Sequence, residues 1–119
     1  MYKKIGFLIP ILLFSFVNFY PLGRIHYIEP AITGEEMEMY VNVRNDLNED
    51  FKGTSVRAFI YDLGVALYSS PFKLEDNTNM LVRLYWDVPY DTPPGDYLTK
   101  VSLSNDQFTS SQHIIISVR

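Results

Sequence analysis

The chain contains no cysteine. That removes disulfides, thiolate metal sites and a cysteine nucleophile together. A fold sent to an oxidising compartment would have to hold by core packing alone. Positive charge is also scarce: 10 Lys and Arg stand against 14 Asp and Glu, for a formal net charge of -4. No basic patch exists to neutralise phosphates, which argues against a nucleic-acid partner. Histidine is limited to His26 and His113. No serine sits in a nucleophile elbow, and no glycine-rich loop leads from a strand into a helix. No Asn-x-Ser/Thr acceptor site follows the leader. Beyond the N-terminus no stretch sustains a helical period.

The long apolar run is N-terminal. MYKKIGFLIPILLFSFVNFYPLG carries Lys3 and Lys4, then is almost purely apolar from Ile5 to Leu22. A charged start followed by an apolar segment is a secretory pattern, and its length borders on the roughly 20 residues of a membrane span. No small-x-small cleavage site follows. Residues 1–23 are expected to be a signal peptide or a hydrophobic membrane-anchor helix. The domain at 24–119 is then exported to the cell surface or extracellular space, with Lys3 and Lys4 on the cytoplasmic side.

After Gly23 the apolar period becomes two. MEMYVNVRN (37–45) places Met37, Met39, Val41 and Val43 on one side and Glu38, Tyr40, Asn42 and Arg44 on the other. Extended runs are expected at 24–30, 54–62, 65–70, 80–88, 97–105 and 108–118, with a brief one around Phe72 and Leu74. A polar loop at 46–53 ends in glycine. In MLVRLYWDV (80–88), Met80, Val82, Leu84, Trp86 and Val88 face inward. The stretch DTPPGDYLTKV cannot continue a ladder, because proline lacks the N–H donor. Pro93 and Pro94 are expected to form a stiff crossover. Gly95 provides a tight turn, Asp96 bonds local backbone, and Tyr97 opens the next strand as a tyrosine corner. Similar strands, regular turn signals and no helices predict an all-β, immunoglobulin-like antiparallel β-sandwich of about seven strands.

ITGEEMEMYVNVRNDLNEDFKGTSVRAFIYDLG is similar to the first half of the CARDB-type immunoglobulin-like modules found in archaeal and bacterial surface proteins. VPYDTPPGDYLTKVSLSN resembles the proline-glycine-tyrosine lead into their penultimate strand, carried here by Val88, Pro94, Gly95, Tyr97 and Val101. The resemblance covers residues 24–118. It implies a binding or structural module of the cell envelope and brings no catalytic residues. Tandem copies are absent from this chain.

Candidate chemistry is thin. His26 and His113 fall on the first and last strands, where a metal pair is conceivable but surface or capping roles are the simpler reading. Asp46, Glu49 and Asp50 share one loop, and Asp91 and Asp96 flank the proline corner. Solvated loop charge is the simpler reading than calcium. No catalytic residue, metal ligand or cofactor is assigned. Large aromatics give the clearer signal: if the alternation holds, at least some of Phe59, Tyr61, Tyr68 and Tyr85 face away from the core and are candidates for protein contact, as a cluster of exposed aromatics marks an interface. The simpler alternative is that the strand with Phe59 and Tyr61 lies centrally and is covered by the fourth strand and the membrane-proximal segment. Ile115, in the run Ile114-Ile115-Ile116, joins them as a candidate for strand addition at an edge.

The sequence therefore points to a non-enzymatic cell-envelope protein that displays its domain for a protein partner or for structural support. Contact with the membrane would run through 1–23 if the leader is retained, and a homo-oligomer is open. Alternatives are a subunit of a surface filament or lattice, and an accessory calcium- or carbohydrate-binding module.

Overall fold

The computed structural model describes residues 21–119. The leader expected at residues 1–23 lies outside the described residues up to residue 20; its last two residues, Leu22 and Gly23, are extended and open the first strand. Among the described residues, no helix is long and apolar enough to cross a membrane.

Eight strands and one 3-10 turn follow in order: β1 Leu22–Tyr27, β2 Glu36–Asn45, β3 Phe51–Ile60, the turn Tyr61–Leu63, β4 Val65–Tyr68, β5 Phe72–Leu74, β6 Thr78–Asp87, β7 Gly95–Ser104 and β8 Thr109–Val118. All the strand pairings between them are antiparallel. One sheet has the order β1-β2-β6. The other runs β4-β3-β7-β8, with β5 also pairing β3. The fold is thus the expected sandwich, with eight strands among the described residues where the sequence suggested about seven.

The period of two decides which faces meet. Met39, Val41 and Val43 of β2 and Val82, Leu84 and Trp86 of β6 are buried against Val56, Ala58 and Ile60 of β3 and Val101 and Leu103 of β7. Each of the Met, Val, Leu and Ile side chains among them gains about 1.5–3 kcal/mol from leaving water. Lacking disulfides, the domain rests on this layer.

Several boundaries differ from the sequence reading. β1 begins at Leu22 rather than Arg24, because Leu22 pairs with Val43 and joins the core. In the sequence it reads as the tail of the apolar leader. β1 stops at Tyr27, and the chain turns so that Ala31, buried, bridges in parallel to Val118. β3 begins inside the expected loop, at Phe51. Gly53 takes φ 63°, and the register against β5 shifts between Phe51 and Thr54, so the glycine makes a bulge rather than ending a loop. The run expected to reach Asp62 ends at Ile60. Tyr61–Leu63 winds into the 3-10 turn, closed by Gly64 at φ 63° with its N–H on the Tyr61 carbonyl at 3.2 Å.

The proline corner is built largely as expected. The Tyr97 hydroxyl donates to the Pro93 carbonyl, four residues upstream, and ties the crossover to the strand it feeds. Thr92 is buried beneath it, its N–H on the Pro89 carbonyl at 3.0 Å. Two details differ. Gly95 lies in β7 itself, opposite Val118, instead of making a tight turn. Asp96 accepts a hydrogen bond from the Ser117 hydroxyl at 2.8 Å, across the strands rather than from local backbone.

Candidate functional site

β3, β4, β7 and β8 turn their polar and aromatic alternates to the outside of the five-stranded sheet. The register then decides which of these meet. Arg57 lies opposite Tyr68 of β4 and Ser102 of β7, and Phe59 lies opposite Ala66 and Lys100. Lys100 in turn faces His113, and Leu98 faces Ile115. Arg57 holds its guanidinium 4.9 Å from the Phe59 ring centre and 5.8 Å from that of Tyr68. A cation over an aromatic face is held by the ring quadrupole, and the aromatic shields its methylenes. Phe59 meets Tyr61 edge to face at 5.4 Å. Tyr61 lies parallel to the His113 ring at 5.9 Å, with its hydroxyl 3.1 Å from Nε2.

These contacts make one continuous strip, Tyr68-Arg57-Phe59-Tyr61-His113, with exposed Leu98 and Ile115 at its flank. Of the sequence candidates, Phe59, Tyr61, Tyr68 and Ile115 are brought together here. Tyr85 is not: it lies on the outer face of the three-stranded sheet, opposite Glu38 of β2. The residues that framed the fold fall elsewhere, with Trp86 in the core and Pro94, Gly95 and Tyr97 at the crossover. Sequence reading missed Arg57, Lys100, Leu98 and His113 as members of the strip. Strand alternation marks them as outward, but only the cross-strand register makes them neighbours.

Arg57 and Lys100 bring positive charge to the strip in a chain of net negative charge, with exposed Asp62 next to Tyr61 and Asp96, which accepts from Ser117, at the far end. Ile115 sits at the rim of β8, and its edge there is partly covered. Its carbonyl lies 3.4 Å from the Tyr27 hydroxyl, which also accepts the Ser117 N–H at 2.8 Å. Ala31 N–H donates to the Ser117 carbonyl at 2.9 Å, and Arg119 N–H to the Ala31 carbonyl at 2.8 Å.

The acidic loop is occupied by its own neighbours. Asn45, fully buried, donates to the carbonyls of Glu49 (2.6 Å) and Leu74 (3.2 Å) and accepts from Leu47 N–H (3.0 Å). Asp46 meets Arg44 at 3.5 Å, and Asp50 meets Lys73 at 3.3 Å. The Asp76 N–H on Asp50 at 2.9 Å, helped by Lys73, holds that carboxyl below the usual carboxylate range. His26 stacks on Tyr40 at 5.2 Å, apart from His113. Among the described residues, no group of three or more His, Cys, Asp or Glu comes together.

No family model matches the chain, and no curated protein matches it in sequence. Solved structures do. The CARDB domain of the PF1109 protein from Pyrococcus furiosus, crystallised with di-metal ions, superposes with a TM-score of 0.63 at 18% identity, over 80% of this chain and 84% of that one. The solution structure of the same domain gives 0.61 at 17% identity, over 79% and 89%. Spo0M, a sporulation control protein of Bacillus subtilis, gives 0.56 at 16% identity, over 81% of this chain and 48% of that one. The likeness establishes the fold as a CARDB-type immunoglobulin-like sandwich, as the sequence motifs implied.

Proposed function

We propose that this is a non-enzymatic cell-envelope protein whose immunoglobulin-like domain docks a partner protein on the outer face of its five-stranded sheet. The observation that carries the reading is the strip in which Arg57 lies between Phe59 and Tyr68 and Tyr61 bridges Phe59 to His113. Aromatic and arginine side chains concentrate binding energy when a partner covers them, and here they are pre-ordered by each other. Leu98 and Ile115 add apolar area beside them. Arg57 and Lys100 favour a partner that presents carboxylates around an apolar centre. Export rests on the Lys3-Lys4 leader, which serves as a signal or, retained, as the membrane attachment.

The test is isolation of the native full-length species from the envelope in mild detergent. Wild type is expected to bring down a stoichiometric partner protein. Phe59→Ala and Ile115→Asp are expected to lose it while circular dichroism and melting stay native. Tyr85→Ala, on the opposite sheet, is expected to retain it. Retention of the partner by both face variants would overturn the reading. A large homopolymer in place of a heteromeric complex would move the assignment to a filament or lattice subunit.

A further inference from the structure

The two sides of the sandwich end differently. On one side β1 and β8 are bridged: the Gln112 amide donates to the Leu22 and Gly23 carbonyls at 3.3 and 2.8 Å, and Tyr27 caps Ser117. On the other side, β4 and β5 are short, four and three residues, which itself blunts an edge. β6 is ten residues long and, among the described residues, pairs only with β2. Val88 just beyond it donates to the Glu35 carbonyl at 3.0 Å and accepts from Gly34 N–H at 2.8 Å. Even-numbered backbone groups therefore turn toward β2. The ladder continues without a register shift from Asp87 to Thr78, so the odd-numbered groups turn outward. Among the described residues, the N–H and C=O groups of Leu81, Arg83, Tyr85 and Asp87 meet no strand on that side.

The side chains of these same residues are exposed: Leu81 by 51%, Tyr85 by 48%. Arg83 reaches Glu38 at 3.7 Å on its own sheet. Asp87 is exposed and has no ion-pair partner among the described residues.

We propose that the β6 edge pairs antiparallel with the β6 edge of a second copy of this chain, centred on Tyr85, so that Arg83 of each copy faces Asp87 of the other. Charge selects both the occupant and the register. A two-fold axis at Arg83 would oppose two guanidiniums. An axis at Leu84 would set Leu81 against the Asp87 carboxylate and leave both carboxylates unpaired. The axis at Tyr85 satisfies both Asp87 carboxylates, sets Tyr85 beside its counterpart and lets residues 83, 85 and 87 exchange backbone hydrogen bonds with 87, 85 and 83. The two three-stranded sheets then join into one. The two outer strips on the five-stranded sheets stay uncovered, so the dimer would present its proposed docking face twice.

The experiment is sedimentation equilibrium of the full chain in density-matched detergent, with folding followed by circular dichroism. Wild type is expected to reach a monomer–dimer equilibrium. Arg83→Asp and Asp87→Arg each place like charges at both ends of the pairing and are expected to weaken dimerisation by roughly tenfold or more. An equimolar mixture of the two is expected to recover it, because the doubly acidic edge of one variant then faces the doubly basic edge of the other at both positions. Tyr85→Pro removes an outward N–H that the domain itself does not use, and is expected to be folded and monomeric. A monomeric wild type, or a dimer indifferent to the charge variants, would overturn the proposal. So would two single variants that stay dissociated when mixed. Partner capture by the monomeric Tyr85→Pro chain separates this result from the docking reading.

Discussion

The Tyr27 phenol oxygen accepts the backbone N–H of Ser117 at 2.8 Å, joining residues that lie 90 positions apart. It closes the seam between the first strand of one sheet and the last strand of the other. One side chain thus occupies a backbone group that would otherwise offer β8 as a template for a further strand. Tyr27→Phe is expected to cost about 1 kcal/mol, the net worth of one hydrogen bond. Urea unfolding reads the loss, and hydrogen exchange is expected to speed up at Ser117 ahead of the core.

The Tyr97 hydroxyl on the Pro93 carbonyl fixes the crossover between the sheets. Tyr97→Phe keeps the ring in the core and removes only that bond. The expected loss is about 1 kcal/mol, read as a lower urea midpoint with an unchanged slope. An unchanged midpoint would mean that the prolines alone hold the corner.

Asn45 is fully buried and serves three backbone groups, two in the loop after β2 and one at the end of β5. Asn45→Ala removes all three of these hydrogen bonds inside the protein, at an expected cost of about 2–3 kcal/mol. Its effect should exceed that of any single change among Asp46, Glu49 and Asp50. Thermal melting of the set gives the ranking.

Asp50 supplies the pH dependence. Its carboxyl is held below the usual range, first by the Asp76 N–H and then by Lys73. The folded state therefore favours the ionised form. The stabilisation is complete above the ordinary carboxylate pKa and is lost as the pH falls through the lower folded value. Asp50→Asn is expected to melt below wild type near neutral pH, and the gap should narrow as the solution is acidified beneath the carboxylate range. A gap that widens in acid would reverse the assignment.

Leu84 shows how directly alternation translates into packing. It falls on the inward phase of MLVRLYWDV and is fully buried in β6. Leu84→Ala is expected to cost about 2–5 kcal/mol through lost burial and the cavity left behind. Urea unfolding measures the loss.

The sequence by itself determined the sandwich and its inward faces. A period of two leaves no freedom about which side chains share a side, and proline cannot lie inside a central ladder. Met39, Val41, Leu84, Trp86 and Val101 were legible for that reason, and so was the Tyr97 corner. Where a local signal had two meanings, the reading slipped. Leu22 continues an apolar leader and also begins β1, and Gly53 ends a polar loop and also makes a bulge. What only the tertiary structure decided was adjacency. Alternation puts Tyr85 outward and separates Arg57, Phe59 and Tyr61 from Val56, Ala58 and Ile60, but only strand order and register put Arg57, Phe59 and Tyr61 on one outer strip and Tyr85 on the opposite sheet. Among the described residues, the same long-range pairing bridges β1 to β8 and leaves one edge of β6 without a strand, because hydrogen-bond partners across a sandwich are chosen by the packing of two sheets rather than by neighbours in the chain.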